Sequence, residues 1–386
     1  MPTRILFGPG KLNELAQEEL PGKKALIVIS SGNSMRKLGY LDRLQTILSG
    51  RGVGSVVFDK ILPNPIKSHV MEGADLCRKE GCDFVIGLGG GSSIDSAKSI
   101  AIMATNPGDY WDYVGGGTGK GKPIPQPILP VVAITTTAGT GTEADPWTVI
   151  TKEDTKEKIG FGNQHTFPAL SVVDPELMLS VPPKLTAFQG FDALFHSLEG
   201  YLANVATPIS DMYALRSIEL VAQNLPECIA HGDSLAARTN VALANTYAGF
   251  VQTESSCTSE HSMEHALSAF YPELPHGAGL ILLSDAYFTF FSSKVPERFV
   301  AMAKAMGVDV DALQEEERPK SFVPALAVFR EKCGVADLKM SDWGIKPGDI
   351  PKLAQNARET MGGLFERDRY RLSLEETIGI MEKAYR

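Results

Sequence analysis

The chain of 386 residues has no long hydrophobic run and no leader-like N-terminus. Its longest apolar stretches, residues 127–134 and 279–283, are far shorter than the roughly 20 residues that cross a bilayer as a helix. The first residues also lack the positively charged and then apolar order of a signal peptide. These absences predict a cytoplasmic protein with no membrane partner.

Cysteine is scarce, and basic residues are outnumbered by acidic ones. The five cysteines are an odd number at irregular spacings, which argues against a disulfide framework or a zinc ribbon and fits a reducing compartment. They are Cys77, Cys82, Cys228, Cys257 and Cys333. The 37 Lys and Arg residues against 46 Asp and Glu residues give a net charge of −9, without a basic block. This charge argues against nucleic acid as a partner.

What the chain does have is an ordinary globular composition, 43% hydrophobic and 22% charged, and an alternating pattern in its first half. Short apolar runs that predict strands alternate with amphipathic segments that predict helices. The predicted strands are residues 25–29, 53–58, 83–88 and 128–134, and helices are predicted up to residue 48, over 68–80 and from 94 onward. Such alternation predicts a doubly wound parallel sheet.

The pattern changes after residue 179, where paired prolines in the segment 180–183 indicate a boundary. Helical periodicity dominates from there to the end of the chain. The clearest predicted helices are residues 190–203, 209–224, 234–249 and 259–270. The predicted fold class is therefore an α/β, Rossmann-like dinucleotide-binding domain over 1–182, followed by an all-helical domain over 183–386.

Two loops of small residues follow predicted strands in the first domain. Residues 87–92 lie between a strand and a helix, where glycines let a phosphate approach backbone N–H groups. This segment departs from G-x-G-x-x-G at Ser92 and follows the third strand, so a tight turn without a ligand explains it equally well. The second loop, residues 135–143, stands at another strand end, and the pair of loops together favours a dinucleotide.

Four of the seven histidines cluster in the second domain with one aspartate. Asp192 and His196 are four residues apart on a predicted helix, and His261 and His265 repeat that spacing on another. His276 follows in a loop. A carboxylate and several imidazoles from separate segments predict a site for a divalent transition metal, although each histidine alone is more often an ordinary core or surface residue.

Three motifs, residues 89–98, 136–143 and 261–277, resemble those of the iron-containing alcohol dehydrogenase family. The resemblance extends from residues 7–10 to the terminal helix, so it covers essentially the whole chain. It implies an N-terminal dinucleotide-binding domain, a helical C-terminal domain with the metal in the cleft between them, and NAD(P)-linked interconversion of small primary alcohols and aldehydes. It also implies a homodimer or higher homo-oligomer.

The resemblance assigns roles to individual residues. The family's metal ligands, for Fe²⁺ or Zn²⁺, fall on Asp192, His196, His261 and His276, and its catalytic histidine near the substrate falls on His265. The family's cofactor-binding positions fall on Asn64, Gly90, Gly91, Ser92, Asp95, Thr136, Thr137, Thr140, Val149, Lys158 and Leu177.

The chain departs from the family pattern at two places. Many members carry an Asp after the first strand of this region, where this chain has Ser30. Loss of that carboxylate removes repulsion toward a 2′-phosphate, and this segment resembles NADPH-using, butanol-dehydrogenase-like members, so we expect NADP(H) rather than NAD(H). Glu260 and Ser268 stand where an apolar residue and a glycine are usual, which leaves the substrate pocket unspecified.

Related activities are alternatives within the same superfamily. A dehydroquinate synthase-like lyase would need a basic cluster for a phosphorylated sugar, and the metal segments carry none. Glycerol dehydrogenase and maleylacetate reductase are closer alternatives, although relatives of the reductase commonly lack the Asp and His ligands retained here. A non-catalytic nucleotide-binding protein would bind the cofactor without turnover.

Overall fold

The computed structural model describes residues 2–386, which divide into two compact units. The first unit extends to Thr137 and resumes over Gly141–Leu179. The second comprises Ala138–Thr140 and Ser180–Arg386, so a three-residue piece of the second small-residue loop belongs to the helical unit.

The first unit is built on a parallel sheet. Its strands are β1 (Arg4–Phe7), β2 (Lys24–Ser30), β3 (Gly54–Ile61), β4 (Phe84–Gly89), β5 (Val131–Thr135), β6 (Thr148–Lys152), β7 (Glu157–Phe161) and β8 (Leu170–Val173). Within the described residues, six of them pair in parallel in the order β1-β8-β5-β4-β2-β3, and β6 and β7 form an antiparallel pair. The helices of this unit are α1 (Ser34–Lys37), α2 (Tyr40–Gly50), α3 (Lys67–Glu80) and α4 (Gly91–Thr105).

The sheet confirms the predicted fold class and adds strands that the sequence pattern did not reveal. The four predicted strands correspond to β2, β3, β4 and β5. β5 begins at Val131 rather than at residue 128 because Pro127 and Pro130 cannot donate to a strand ladder. β1 and β8 have four residues each, which is too short for a period of two to show.

Helix α4 packs tightly on strand β4, which fixes the loop between them. A Cβ atom on Gly87 would lie only 2.8 Å from the Ile94 Cα, so glycine is needed for this close approach. All residues of strand β4 are buried. The loop over Gly89 and Gly90 is therefore anchored at both ends by buried structure.

The second unit is helical. Its helices are α5 (Pro183–Leu202), α6 (Pro208–Ala230), α7 (Leu235–Glu254), α8 (Ser259–Phe270), α9 (His276–Ser292), α10 (Pro296–Ala305), α11 (Phe322–Lys332), α12 (Ile350–Phe365) and α13 (Leu374–Ala384). The four predicted helices correspond to α5 to α8. α5 starts at Pro183, before the predicted residue 190, because proline at the first helical position loses no hydrogen bond. None of the helices in residues 2–386 is long and apolar enough to cross a membrane.

Candidate functional site

Helix α5 carries the first two predicted metal ligands into the interior of the helical unit. Asp192 and His196 lie one turn apart, and both side chains are about 95% buried. Phe191 and Phe195 occupy neighbouring positions on the same helix and pack in the hydrophobic core. The core therefore fixes the helix, and with it the direction in which the carboxylate and the imidazole project.

Helices α8 and α9 bring two more histidines to the same carboxylate oxygen. Asp192 Oδ1 lies 3.4 Å from His196 Nδ1, 3.4 Å from His276 Nε2 and 3.7 Å from His261 Nε2. Ligand atoms that share an ion through bonds of about 2.0–2.2 Å are themselves about 3.0–3.5 Å apart. Asp192, His261 and His276 each offer a ligand atom, all within 4.8 Å of one another, so these three suit a single metal ion. His196 Nδ1 lies beside the same carboxylate oxygen and also 3.3 Å from the Gly139 carbonyl oxygen.

Two of the converging atoms are buried without a hydrogen-bond partner. These are Asp192 Oδ1 and His261 Nε2, and both residues are less than 5% exposed. A buried polar atom that forms no hydrogen bond is costly, so such atoms in a cluster indicate a ligand that satisfies them. One carboxylate and three imidazoles are donors that suit iron or zinc. The residues present thus fit the metal that the sequence predicts.

The electrostatics of the cluster keep its carboxylate ionised. Burial raises the pKa of Asp192, but the charges of His196 and His276 outweigh burial and bring it to about 2. Burial lowers the pKa of His196, and the Asp192 charge reverses this and raises it above its ordinary value. An anionic oxygen among imidazoles is the state in which a cation can replace protons.

Two buried glutamates orient two of the histidine rings. His261 Nδ1 donates to Glu199, and His276 Nδ1 donates to Glu264. Each contact places the proton on Nδ1 and leaves Nε2, the atom that faces Asp192, as an acceptor for a metal. Glu199 is itself fixed, because its Oε2 accepts from the Thr258 N–H at 2.8 Å and the Thr258 hydroxyl at 2.9 Å.

Glu264 is a site residue that sequence reasoning missed. It lies between His261 and His265 in sequence, and it is fully buried on α8. Its partner His276 is twelve residues away, across the turn that joins α8 to α9. No periodic spacing links these two positions, so only the path of that turn reveals the pair.

His265 is close to the metal cluster. Its ring centroid lies 5.4 Å from that of His276 and 6.3 Å from that of His261, and the residue is 4% exposed. Its Nδ1 contacts the sulfur of Met361, at a break in helix α12. The predicted catalytic histidine thus lies beside the predicted ligands, on the helix that carries one of them.

The two unusual residues of α8 are both buried. Glu260 is fully buried, and neither of its carboxylate oxygens has a hydrogen-bond partner. Burial, reinforced by the charge of Glu199, raises its pKa well above the ordinary value. The Ser268 hydroxyl donates to the Glu264 carbonyl at 3.2 Å, so it is used within the helix.

The glycine loop of the first unit has the geometry of an anion cradle. Gly89 has φ +148°, and a Cβ atom on Gly90 would lie 3.0 Å from the Thr137 hydroxyl. Gly91 and Ser92 are the first residues of α4, whose N–H groups have no acceptor within the helix. N–H groups at a helix N-terminus preceded by glycines are a common binding site for a phosphate.

Asp95 and Val149, both predicted at the cofactor site, are used in a hydrogen-bonded network of the first unit. Asp95 Oδ1 accepts from the Thr142 hydroxyl at 2.7 Å, and its Oδ2 accepts from the Val149 N–H at 2.9 Å. The carboxylate is 7% exposed. Its structural function here is to hold strand β6 against helix α4.

The structure brings some of the predicted cofactor residues together and assigns one of them to the helical unit. Lys158 Nζ donates to Asn64 Oδ1 at 3.2 Å, and the Ser92 hydroxyl donates to the carbonyl of the adjacent Pro63. Thr140 belongs instead to the helical unit, where its carbonyl accepts from Gln252 at 2.8 Å. The remaining predicted residues are the buried Thr136, Thr137 beside Gly90, the buried Leu177, and Ser30 at the end of β2.

Comparison with known proteins identifies the class to which this fold and site belong. Residues 2–175 match the family described as "Iron-containing alcohol dehydrogenase", and residues 186–385 match "Fe-containing alcohol dehydrogenase family, C-terminal". The chain belongs to the iron-containing alcohol dehydrogenase family, whose members are oxidoreductases.

Individual relatives resemble the chain over nearly all of its length. A 1,3-propanediol dehydrogenase of Citrobacter freundii is 35% identical over 359 residues, which cover 92% of this chain and 91% of that protein. An archaeal halo-thermophilic alcohol dehydrogenase from a Red Sea brine pool has a TM-score of 0.93 at 35% identity, over 99% of this chain and 97% of that one. NADH-dependent butanol dehydrogenase A of Thermotoga maritima has a TM-score of 0.89 at 31% identity, over 100% and 97%.

Proposed function

We propose that the protein interconverts small primary alcohols and aldehydes by hydride transfer to and from a nicotinamide cofactor, with a divalent metal in the histidine cluster. The observation that carries this proposal is the convergence of three imidazoles on the Asp192 Oδ1 atom, which is buried without a hydrogen-bond partner. The substrate class is supported by two relatives, which are named 1,3-propanediol dehydrogenase and butanol dehydrogenase.

Asp192, His196, His261 and His276 would hold the metal, Fe²⁺ or Zn²⁺. When bound, the metal supplies a Lewis acid for the substrate oxygen, and the nicotinamide supplies the hydride chemistry. Glu199 and Glu264 keep two of the imidazoles in the tautomer that presents Nε2 to the cluster. The negative charge of Asp192 compensates part of the charge of a divalent ion.

His265 is the proposed proton carrier of the reaction. Oxidation of an alcohol releases a proton from the hydroxyl group, and an imidazole beside the metal cluster can accept it near neutral pH. His265 is the histidine of α8 that we do not assign as a ligand, and its ring lies against that of His276. In the reverse direction the same group would return a proton to the product oxygen.

The glycine loop and Ser30 would bind the cofactor. The N-terminus of α4 suits the pyrophosphate, and Asn64 and Lys158 form a polar pair in the same unit. We propose NADP(H) because residues 30–34, at and after the end of β2, contain hydroxyls and an amide but no carboxylate. A relative in Thermotoga maritima is named NADH-dependent, so this preference needs a direct test.

The test is oxidation of NADPH or NADH with butanal by protein prepared without oxygen. Metal-free protein, Fe²⁺-loaded protein and Zn²⁺-loaded protein are compared, and we expect turnover only with metal and faster turnover with NADPH. Full turnover after removal of the metal would contradict the function proposed for the histidine cluster. No turnover with either cofactor across a series of aldehydes would favour a lyase or a non-catalytic protein.

The variant Ser30→Asp tests the cofactor preference separately. A carboxylate at this position should repel a 2′-phosphate and shift the preference from NADPH toward NADH. Ser31→Ala is the matched control, because it changes the neighbouring hydroxyl without adding charge. Equal shifts in both variants, or faster turnover with NADH in the unmodified protein, would overturn the argument from Ser30 while the enzyme class stands.

A further inference from the structure

Helix α12 is interrupted beside His265, the proposed proton carrier. Met361 has φ −127° and ψ 39°, which lie outside the helical region, and helical structure continues after it to Phe365. Gly362 and Gly363 follow the break, and glycine is among the residues at which helices kink. At this break the Met361 sulfur lies 2.8 Å from His265 Nδ1.

A second side chain of α8 joins the same break to the site. Ser262 is fully buried and lies three residues before His265, on the same face of the helix. Its hydroxyl donates to the Ala357 carbonyl at 2.8 Å and lies 3.4 Å from the Met361 carbonyl. The contact between His265 and Met361 is thus supported by an independent contact between the same two helices.

The chemistry of the thioether decides which nitrogen of His265 carries a proton. A thioether sulfur accepts a hydrogen bond but cannot donate one, so His265 Nδ1 is the donor. In the neutral ring Nε2 is then the unprotonated nitrogen, because the bond made by one nitrogen sets the state of the other. In the imidazolium both nitrogens are protonated, so the contact with sulfur is kept and the proton that comes and goes is the one on Nε2.

We propose that Met361 is a positioning residue for His265, and that it makes Nε2 the nitrogen that exchanges a proton with the substrate. The inference rests on the role of His265 in the proposed function, and it adds the residue that sets the tautomer. In alcohol oxidation the hydroxyl proton passes to Nε2 while the hydride from carbon passes to the nicotinamide. Aldehyde reduction reverses both transfers.

The partner of His265 differs from those of the two neighbouring rings. His261 and His276 donate from Nδ1 to the carboxylates of Glu199 and Glu264. A carboxylate partner raises the basicity of an imidazole, which suits a metal ligand. A thioether is a weak and uncharged acceptor, so it sets the tautomer of His265 without adding charge at Nδ1.

Three variants isolate the contribution of the sulfur. Met361→Leu removes the acceptor and nearly conserves the side-chain volume. Met306→Leu is the matched control, because Met306 is also a partly exposed methionine at a helix end of the same unit, at the end of α10. Met361→Gln restores an acceptor at this position, since its amide oxygen can receive the Nδ1 proton.

The first measurement is nitrogen-15 NMR of the full-length, Zn²⁺-loaded protein with labelled histidine, at mildly alkaline pH. The resonances of His265 are those that disappear in His265→Asn. We expect protonated Nδ1 and unprotonated Nε2 in the unmodified protein and in Met306→Leu. Met361→Leu should show a mixture of the two tautomers, and Met361→Gln should restore the single one.

The second measurement is the rate of a single turnover of butanal reduction, with enzyme in excess over the aldehyde. We expect this rate to fall at least about tenfold in Met361→Leu, to stay within about twofold in Met306→Leu, and to recover in Met361→Gln. Zinc content should be the same in all variants, because the sulfur does not contact the predicted ligands. Thermal unfolding verifies that each variant is folded.

The outcomes separate this inference from the proposed function. A single, unchanged tautomer in Met361→Leu would overturn the positioning role, as would equal slowing in Met361→Leu and Met306→Leu. An unmodified protein that shows the expected tautomer but turns over no aldehyde would overturn the proposed function instead. A protein that binds no zinc would overturn its metal site, and the tautomer of His265 would then be measured in the metal-free protein.

Discussion

Each of the two units buries a group of charged side chains, but the two groups differ in whether protein atoms satisfy them. In the α/β unit Lys98 is fully buried, and its ammonium donates to the Thr142 carbonyl and hydroxyl at 2.7 Å and to the carbonyls of Asp145 and Trp147 at 2.8 Å. Its ion pair with Asp145 spans 3.3 Å. Both oxygens of the nearby Asp95 also have donors.

The buried charged group of the helical unit contains polar atoms that no protein atom satisfies. Asp192 Oδ1, His261 Nε2 and both carboxylate oxygens of Glu260 are buried without hydrogen-bond partners. Burial of charge is costly unless partners compensate for it. We call a buried cluster closed when protein atoms satisfy all of its charged groups, and such a cluster acts as a structural cross-link. We call it open when several of its polar atoms have no hydrogen-bond partner, and such a cluster can bind a ligand. Both clusters contain charged residues on helices, so composition alone does not distinguish them.

The largest effect is expected from breaking the closed cluster. Lys98→Met removes the only ammonium that compensates Asp145 in this cluster and leaves a buried carboxylate uncompensated. We expect a loss of about 3–5 kcal/mol in the free energy of unfolding, measured by urea denaturation. Added metal should not restore it, because this cluster takes no ion.

Lys24→Met is the control for this change. Lys24 pairs with Glu80 at 3.3 Å, and the two side chains are 37% and 35% exposed. Solvent screens such a pair, so the loss should stay below about 1 kcal/mol. Equal losses in the two variants would mean that closure of the Lys98 network contributes little to stability.

The second largest effect is expected from metal binding to the open cluster around Asp192. A metal at 100 times its dissociation constant should raise the free energy of unfolding of the unmodified protein by about 2.7 kcal/mol. Asp192→Asn should lose nearly all of this increment, because a neutral amide is a weak ligand for a divalent ion. Thermal unfolding during a metal titration, with metal content from elemental analysis, measures both quantities.

Asp192→Asn also tests the charge pairing of the metal-free cluster. The charges of His196 and His276 hold the pKa of Asp192 at about 2, so the folded protein stabilises this carboxylate and the metal-free variant should be less stable near pH 7. Stability from a depressed pKa is lost as the pH falls through it, so the difference between the two proteins, measured by urea denaturation, should shrink toward pH 2. Equal stability of the two metal-free proteins at pH 7 would contradict this charge pairing.

The sequence predicts the fold class because strong patterns carry it. Strands β2 and β4 are continuous apolar runs, and the helices of the second unit have clear periodicity. The sequence does not predict β1 or β8, because four residues are too few to show a pattern and their pairing is set by contacts more than 160 residues apart. Strand order across the sheet depends on such long-range contacts.

The sequence predicts some residues of the site but not the contacts that orient them. Spacing of four residues places Asp192 with His196, but it gives no sign that Glu264 orients His276. Glu264 lies three residues after the predicted ligand His261 on helix α8, but its partner His276 is on the next helix, so the relation emerges only when the intervening turn is known.

The smallest effect distinguishes two buried glutamates of helix α8. Glu264→Gln removes the charge that accepts the His276 Nδ1 proton, so we expect metal affinity to fall by about tenfold, equivalent to about 1.4 kcal/mol. Competition with a chelator measures the affinity. Glu260→Gln is the matched control, with the same substitution on the same helix at the same complete burial, and Glu260 accepts no hydrogen bond from a histidine.

The two variants separate the hydrogen bond to His276 from the loss of any buried carboxyl group on α8. If Glu264 acts by holding the ring of His276, its loss weakens binding and the loss of Glu260 leaves binding within about twofold of the unmodified protein. Burial and the charge of Glu199 raise the pKa of Glu260 well above its ordinary value, so Glu260→Gln tests packing at a buried carboxyl group rather than charge. Equal weakening in both would mean that the packing of α8 sets the metal affinity and that the hydrogen bond to His276 adds little.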